Sequence, residues 1–372
     1  MSGLSASSNK AVLSRPSRFH GLIVIRIAGN RVRIPNQIRI EFAVAVLALL
    51  LFAGTFRTLF AASNEALVEG AKREGEIVFY ASMNLSEANI LIAEFEKRYP
   101  FVKVKLNRTG SEKLLSKVLT EARAKKLFAD VIQTVEFSMH IFNRSGVLAR
   151  YTAQADALYP KNFKEAGYWT TVYYNPYVLA YNTRLVPPRM VPKSYDDLLD
   201  PKWKGKMMME GTKADWFAGV LQIMGREPGL QYMHNLAKQQ PVLREGHELL
   251  AQLVAAGEGL LDINIPASSV DRMKEKGAPI DWTALGAAPA VMVGIGLSSQ
   301  AAHPNAAKLF IDFALSRDGQ KIQQGFGRLV ARADLVTEQP AALKEIKMVP
   351  LNPALAEKLG EYTQQLRTIF GS

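Results

Sequence analysis

The sequence predicts an α/β fold in two halves, each a mixed, mostly parallel sheet flanked by helices. Three observations carry that reading. Between residues 76 and 134, strand-like apolar runs alternate with helical spacing in the order strand, loop, helix, strand, loop, helix, strand, which builds a doubly wound sheet. The chain has 372 residues, too many for one ordinary core and suited to two lobes. The stretch Val178–Lys206, VLAYNTRLVPPRMVPKSYDDLLDPKWKGK, reads as a crossover between halves: an apolar strand, a proline-stiffened turn and a short capped helix.

Composition narrows the function. Apolar residues make up 48% and charged residues 22%, a globular balance that argues against a long disordered portion. The net charge is +12, but residues 1–62 hold +7 of it (eight basic residues and Glu41), leaving a mildly basic body of +5. That is no basis for a nucleic-acid partner. Cysteine is absent, which excludes disulfides, thiol catalysis, thiolate metal sites and a lipoprotein attachment cysteine.

Residues 42–53, FAVAVLALLLFA, are an uncharged apolar core preceded by arginines and followed by small residues at Ala61 and Ala62. This is the layout of a signal peptide with an extended basic lead-in over 1–62, cleaved near 62. An uncleaved N-terminal anchor is the other reading; against it, the uncharged run ends at Arg57, short of the roughly 20 residues of a membrane span. Export to the periplasm follows.

The body opens on a helix from Asn64 to Arg73, stopped by Gly75. EIVFYA (76–81) is a buried strand, Ser86 caps a helix ending at Tyr99-Pro100, and FVKVKL (101–106) alternates as a second strand. A helix with Leu114, Leu115, Val118 and Leu119 on one face leads to ADVIQT (129–134), a third strand. In such sheets ligands sit beyond the C-terminal strand ends. Those ends carry Ser82, Asn84 and Ser86, then Thr109, Gly110 and Ser111, then Thr134 and Glu136. Hydroxyls beside free helix N–H groups suit an anion or carboxylate; a Ser before a helix also serves as a plain cap.

An aromatic segment, 170–181, joins the halves. In the second half Ser194 caps a short helix, MMM (207–209) is a strand, and Gly211–Trp216 is its strand-end loop, with Thr212, Asp215 and Trp216 as ligand candidates. Helices follow near 215–225, 228–239 and 243–256; LLDIN (260–264) is a strand ending at the candidate Asn264; 267–277 is a helix and 278–282 a strand. Trp216 and Tyr181 either stack on a flat ligand or pack in the core. PAVMVGIG (289–296) is apolar with two glycines, 303–324 a helix pair broken near Asp318-Gly319, and the tail helical with proline breakers.

No catalytic constellation emerges. The five histidines have no partner at metal-ligand spacing, and HExxH, GxSxG and P-loop motifs are missing. Gly294-x-Gly296 lacks the third glycine of a dinucleotide fingerprint. The balance is binding without catalysis.

VLAYNTRLVPP…SYDDLLDPKWKGKM (178–207), GAPIDW (277–282) and HPNAAKLFIDFALSRDGQ (303–320), with EFEKRYPFVKV (94–104) and DVIQT (130–134), resemble the extracellular solute-binding proteins of ABC importers, in their ferric-binding, thiamine and putrescine-like branch. The resemblance implies a two-lobed type II periplasmic binding fold, with lobe 1 at 63–176 plus 290–328 and lobe 2 at 177–289 plus 329–372. It implies a monomer that closes on a small-molecule or ion ligand and docks on an inner-membrane ABC permease, without a cofactor, resident metal or nucleic acid. Ferric-binding relatives use a tyrosine pair shortly before the Gly-Ala-Pro segment; here Asp262–Ala267 contains none, and Tyr173-Tyr174, neighbours on a strand, point to opposite faces. A small anion or organic solute is the expected ligand. Asp215 and Glu136 keep an amine open, and a ferric protein with a non-standard site or a periplasmic enzyme on the same frame are the alternatives.

Overall fold

The structure, a computed structural model, describes residues 24–27, 30–33, 65–338, 343 and 346–371. The expected signal-peptide core at 42–53 and the cleavage point near 62 lie outside the described residues. Within the basic lead-in, β1 (Val24–Ile27) and β2 (Asn30–Arg33) form an antiparallel hairpin. It belongs to one compact unit, Met1–Glu65; the second unit, Ala66–Ser372, is described from here on. No helix among the described residues is long and apolar enough to cross a membrane.

Helix α1 (65–74) stops at Gly75, whose φ of +70° favours glycine. The alternation then follows as expected: β3 (Glu76–Ala81), α2 (Leu85–Arg98), β4 (Lys103–Arg108), α3 (Ser111–Arg123) and β5 (Val131–Val135). One detail differs. Asn84, not Ser86, caps α2, because its Oδ1 accepts the Ser86 N–H at 3.0 Å. β5 runs directly into α4 (Glu136–Arg144), so Glu136 opens a helix.

Beyond the short β6 (Lys164–Glu165) comes β7 (Trp169–Asn182), the expected joining segment and a strand of 14 residues. Then follow β8 (Met207–Glu210), α5 (Ala214–Met224), α6 (Arg226–Ala237), β9 (Val242–Arg244), α7 (His247–Ala256), β10 (Leu261–Pro266), α8 (Ala267–Glu275) and β11 (Ile280–Thr283). β12 (Ala287–Leu297) is the apolar glycine-containing run. Helices α9 (Pro304–Leu315) and α10 (Arg317–Gly325) break at Ser316, two residues before the expected point, because its hydroxyl caps α10. The tail contains a strand that its prolines conceal, β13 (Lys347–Pro350), before α11 (Leu359–Phe370).

The strands join in the order β4-β3-β5-β12-β7-β10-β8-β9, with β11 and β6 also on β7 and β13 on β12. β3, β4 and β5 are parallel, as are β10, β8 and β9; the pairings made by β7 are antiparallel. Two strands change partners in mid-course. β7 pairs with β12 as far as Pro176 and with β10 from Tyr177 onward. β12 pairs with β5 over Val293–Leu297 and with β13 over Ala287–Ala290. The changeover falls where Pro176 faces Ala290; proline, lacking an N–H, suits the end of a ladder.

Buried apolar clusters run along the sheet, one of them continuing from β3 through β12 and β7 to Met208, Val254 and Ile265. Phe79, Phe95 and Phe310 meet at ring distances of 4.8 and 4.9 Å beside β3. Trp203, Trp216 and Phe217 pack with Met207, Met209 and Leu261 around β8 and β10. The two glycines of β12 have a steric reason. A Cβ on Gly294 would come within 2.5 Å of the buried Trp169 ring, and one on Gly296 within 2.8 Å of the Tyr168 carbonyl. Gly294→Ala is therefore expected to destabilise the protein by about 1–3 kcal/mol through overpacking. Urea unfolding checks this; an unchanged midpoint would show that the indole moves aside freely.

Candidate functional site

The strand-end loops of the first half meet those of the second along a polar seam. Lys213, immediately before α5, reaches the start of α3: its Nζ lies 2.7 Å from Glu112 Oε1 and 3.3 Å from Ser111 Oγ, and 3.4 Å from Glu210 Oε2 on its own side. Asn84 Nδ2 donates to Glu248 on α7, and Lys113 lies 3.6 Å from Glu245. Glu87, buried in the first turn of α2, takes Arg272 of α8 on one oxygen at 2.7 Å and Arg328 on the other, with Arg328 Nε at 2.7 Å. The Arg328 guanidinium also lies over the Tyr173 ring at 3.8 Å.

Behind these pairs lies a buried floor. Tyr177 OH donates to Asp215 Oδ2 at 3.1 Å, and the Trp216 N–H to Asp215 Oδ1 at 2.8 Å. Glu136 Oε2 accepts the Met292 N–H at 2.8 Å. Four buried polar atoms here have no hydrogen-bond partner: Gln133 Nε2, Thr134 Oγ1, Glu136 Oε1 and His247 Nδ1. Buried polar groups are ordinarily satisfied, so these four stand out as exceptions on the floor.

Electrostatics follow from burial. Glu136 is pushed well above the ordinary carboxyl range, first by loss of water and then by the nearby charge of Asp215. Asp215 and Glu210 are raised by burial, which outweighs the pull of Lys213. Burial lowers the Lys213 ammonium, but Glu112, Asp215 and Glu210 more than reverse it. Burial, then Lys213 and Arg272, hold His247 well below its usual value, so its ring is neutral. Among the described residues, no cation bonds Glu136 or Asp215, and no group of three or more His, Asp or Glu side chains is arranged to hold a metal ion. Tyr173 and Tyr174 diverge: one lies under Arg328, the other packs on Phe163 at 5.0 Å.

Residues 127–349 match the model of the bacterial extracellular solute-binding protein family. The chain belongs to that family. The crystal structure of iron-bound HitA from Pseudomonas aeruginosa is similar over 79% of this chain and 99% of that one, at 22% identity and a TM-score of 0.70. The periplasmic binding protein AfuA from Actinobacillus pleuropneumoniae, with fructose-6-phosphate bound, is similar over 80% of this chain and 97% of that one, at 24% identity and a TM-score of 0.67. A probable ABC transporter periplasmic-binding protein, y4fP of Sinorhizobium fredii, is 22% identical over 286 residues, 71% of this chain and 78% of the relative. The α/β architecture is thus the type II periplasmic binding fold.

In this solute-binding protein the expected ligand residues divide into groups. Asn84, Ser111, Thr134 and Asp215 lie on the seam or its floor. Thr109 and Gly110 close the turn into α3, Gly110 as its cap, and the Ser82 N–H donates to the Gln133 carbonyl. Thr212 is bound to Glu210, its Oγ1 at 2.8 Å, and Asn264 clamps the Glu210 backbone through bonds of 2.8 and 3.1 Å. Trp216 packs inside the second core. Tyr181 pairs with Leu261, at the end of β10 away from the seam. Sequence reasoning missed Glu87, Lys213, Tyr177, His247, Arg272 and Arg328. Lys213 sits between two residues it did choose; the arginines come from distant helix and loop positions without a local signal.

Asp262 on β10 adds a measurable property. It is fully buried, its Oδ1 accepts the Asn264 N–H at 3.2 Å, and its Oδ2 has no partner. Burial pushes its carboxyl up to about 8. The unfolded chain loses this proton near pH 4 while the folded protein keeps it to about pH 8, so stability falls as pH rises through that window. Asp262→Asn removes the titration. The variant is expected to exceed the parent by at least about 1 kcal/mol at pH 8, the gap closing towards pH 4. Urea unfolding at pH 5, 6.5 and 8 tests this; parallel stability curves would refute it.

Proposed function

We propose that this protein is the periplasmic receptor of an ABC importer, exported by its N-terminal segment, which captures a small organic solute along the seam and delivers it to an inner-membrane permease without transforming it. The observation that carries the reading is the seam itself. Strand-end loops from both halves converge there, while continuous strands and the segment near Leu329, which bridges to Tyr174, join the halves. Residues 63–176 with 290–328 form one lobe, and 177–289 with 329–372 the other. The partner change at Pro176 and Ala290 supports a hinge at that boundary. Closure is then a population shift: solute touching both lobes favours the shut form.

Two observations bear on the solute. The related fold holds iron in HitA and a sugar phosphate in AfuA. In this chain Asp262–Ala267 contains no tyrosine and Tyr173-Tyr174 diverge, which favours an organic solute over tyrosine-chelated iron. Lys213, Arg272 and Arg328 already hold carboxylates, whereas Glu136 and Asp215 have no bonded cation. Burial holds the Glu136 and Asp215 carboxyls up, and a protonated amine beside them would stabilise their charged forms, which favours a solute carrying an amine over a bare anion.

A thermal-shift screen of the exported form against polyamines, thiamine, phosphonates, small carboxylates, oxyanions and Fe³⁺ tests the reading. A true ligand at 100 times its Kd adds about 2.7 kcal/mol of stability. With that ligand, Asp215→Asn is expected to weaken binding at least about tenfold. Asn84→Ala and Ser111→Ala are expected to weaken it less, with folding intact. Turnover of a solute that gives no stabilisation would replace the receptor by an enzyme, and a shift with Fe³⁺ alone would restore the iron reading.

A further inference from the structure

A cavity lies away from the seam. It is a groove of about 950 Å³ between α3 and α4 on one side and the C-terminal segment 356–367 on the other. Such a volume suits a small organic molecule. Leu115, Ile141, Ala356 and Leu359 supply apolar surface. Arg144 and Arg367 line it from opposite walls, with Ser145, Thr363 and Gln364 beside them.

Its charge is not balanced internally. Neither Arg144 nor Arg367 forms an ion pair or a side-chain hydrogen bond within the described residues. His140 also lines the groove. Its Nδ1 is committed to Glu165, and its buried Nε2 has no hydrogen-bond partner. One carboxylate, Glu357, stands at the edge, largely exposed and 3.9 Å from that Nε2, against two guanidiniums. Guanidiniums that present two parallel donors match a carboxylate or phosphate, and hydroxyl and amide groups beside them complete its hydrogen bonds.

We propose that this groove is a second binding site, for a small organic anion whose carboxylate or phosphate sits between Arg144 and Arg367 and whose carbon frame lies on the apolar wall. The site is separate from the seam. Helix α4 runs from one to the other, with Glu136 at its first residue and Arg144 at its last.

Calorimetric titration at low ionic strength tests this with citrate and glycerol phosphate as probes and glycerol as the neutral control. At least one anion is expected to bind with Kd below about 1 mM, and glycerol not to bind. The stronger probe distinguishes carboxylate from phosphate. Arg144→Gln and Arg367→Gln, both at exposed unpaired side chains, are each expected to weaken it about tenfold with the unfolding midpoint unchanged. Arg272→Gln, on the seam, is expected to leave it unchanged. The proposal fails if neither anion binds the parent protein, if both groove variants bind as the parent does, or if Arg272→Gln alone abolishes binding.

Discussion

The antiparallel ladder between β7 and β12 carries the body of the protein. Buried strands must satisfy their backbone groups on both edges. β7 does so by serving β12 along one stretch and β10 and β11 along the next. β12 mirrors it with β5 and β13. The rest of the architecture follows from this sharing. The parallel strands on each side hang from the shared pair, their helices cover the faces, and their C-terminal ends turn towards one another. The tight fit of Trp169 over Gly294 secures the same pair by packing.

The seam is built on a different principle from the cores. Each core is aromatic and aliphatic, whereas the seam is joined by charges and hydrogen bonds. Glu87 alone answers two arginines from separate segments. Buried pairs of this kind add little net stability over an apolar replacement, but removing one member is costly. They therefore specify how the two sides meet more than they hold them together. Behind them, burial raises the carboxyls of Glu136 and Asp215, which have no bonded cation among the described residues.

Much of the fold was legible because it rests on local patterns. The alternation from Glu76 to Val135, the extended segment at 169–182 and the helices after Ala214 all show their period directly. The family-bearing motifs turn out to be structural. Asn182 bonds the Val254 and Ala255 carbonyls and caps the turn after β7, while the His303 ring binds buried Asp130 and Asn305 binds Glu74. That is why these motifs speak for the fold and say little about the solute. Of the expected ligand residues, the strand-end positions Asn84, Ser111, Thr134 and Asp215 are the ones the structure brings to the seam or its floor. Tyr181 and Trp216 were chosen for chemical type, and strand direction and core packing decided their positions. Arg272 and Arg328 depend on tertiary approach, which no local pattern records. β13 was hidden because its pairing is set by β12 and not by its own proline-flanked sequence.

The polar character of the seam has a consequence for how it responds to dissolved ions. Several of its links, such as Lys113 to Glu245 and Asn84 to Glu248, are exposed at the rim and lie within reach of dissolved ions. At physiological ionic strength the screening length is about 8 Å, and it shortens as salt rises. The periplasm exchanges small ions with the outside medium far more freely than the cytoplasm does. The rim links therefore weaken as external salt rises, while the buried pairs behind them, Glu87 with Arg272 and Arg328, are screened much less.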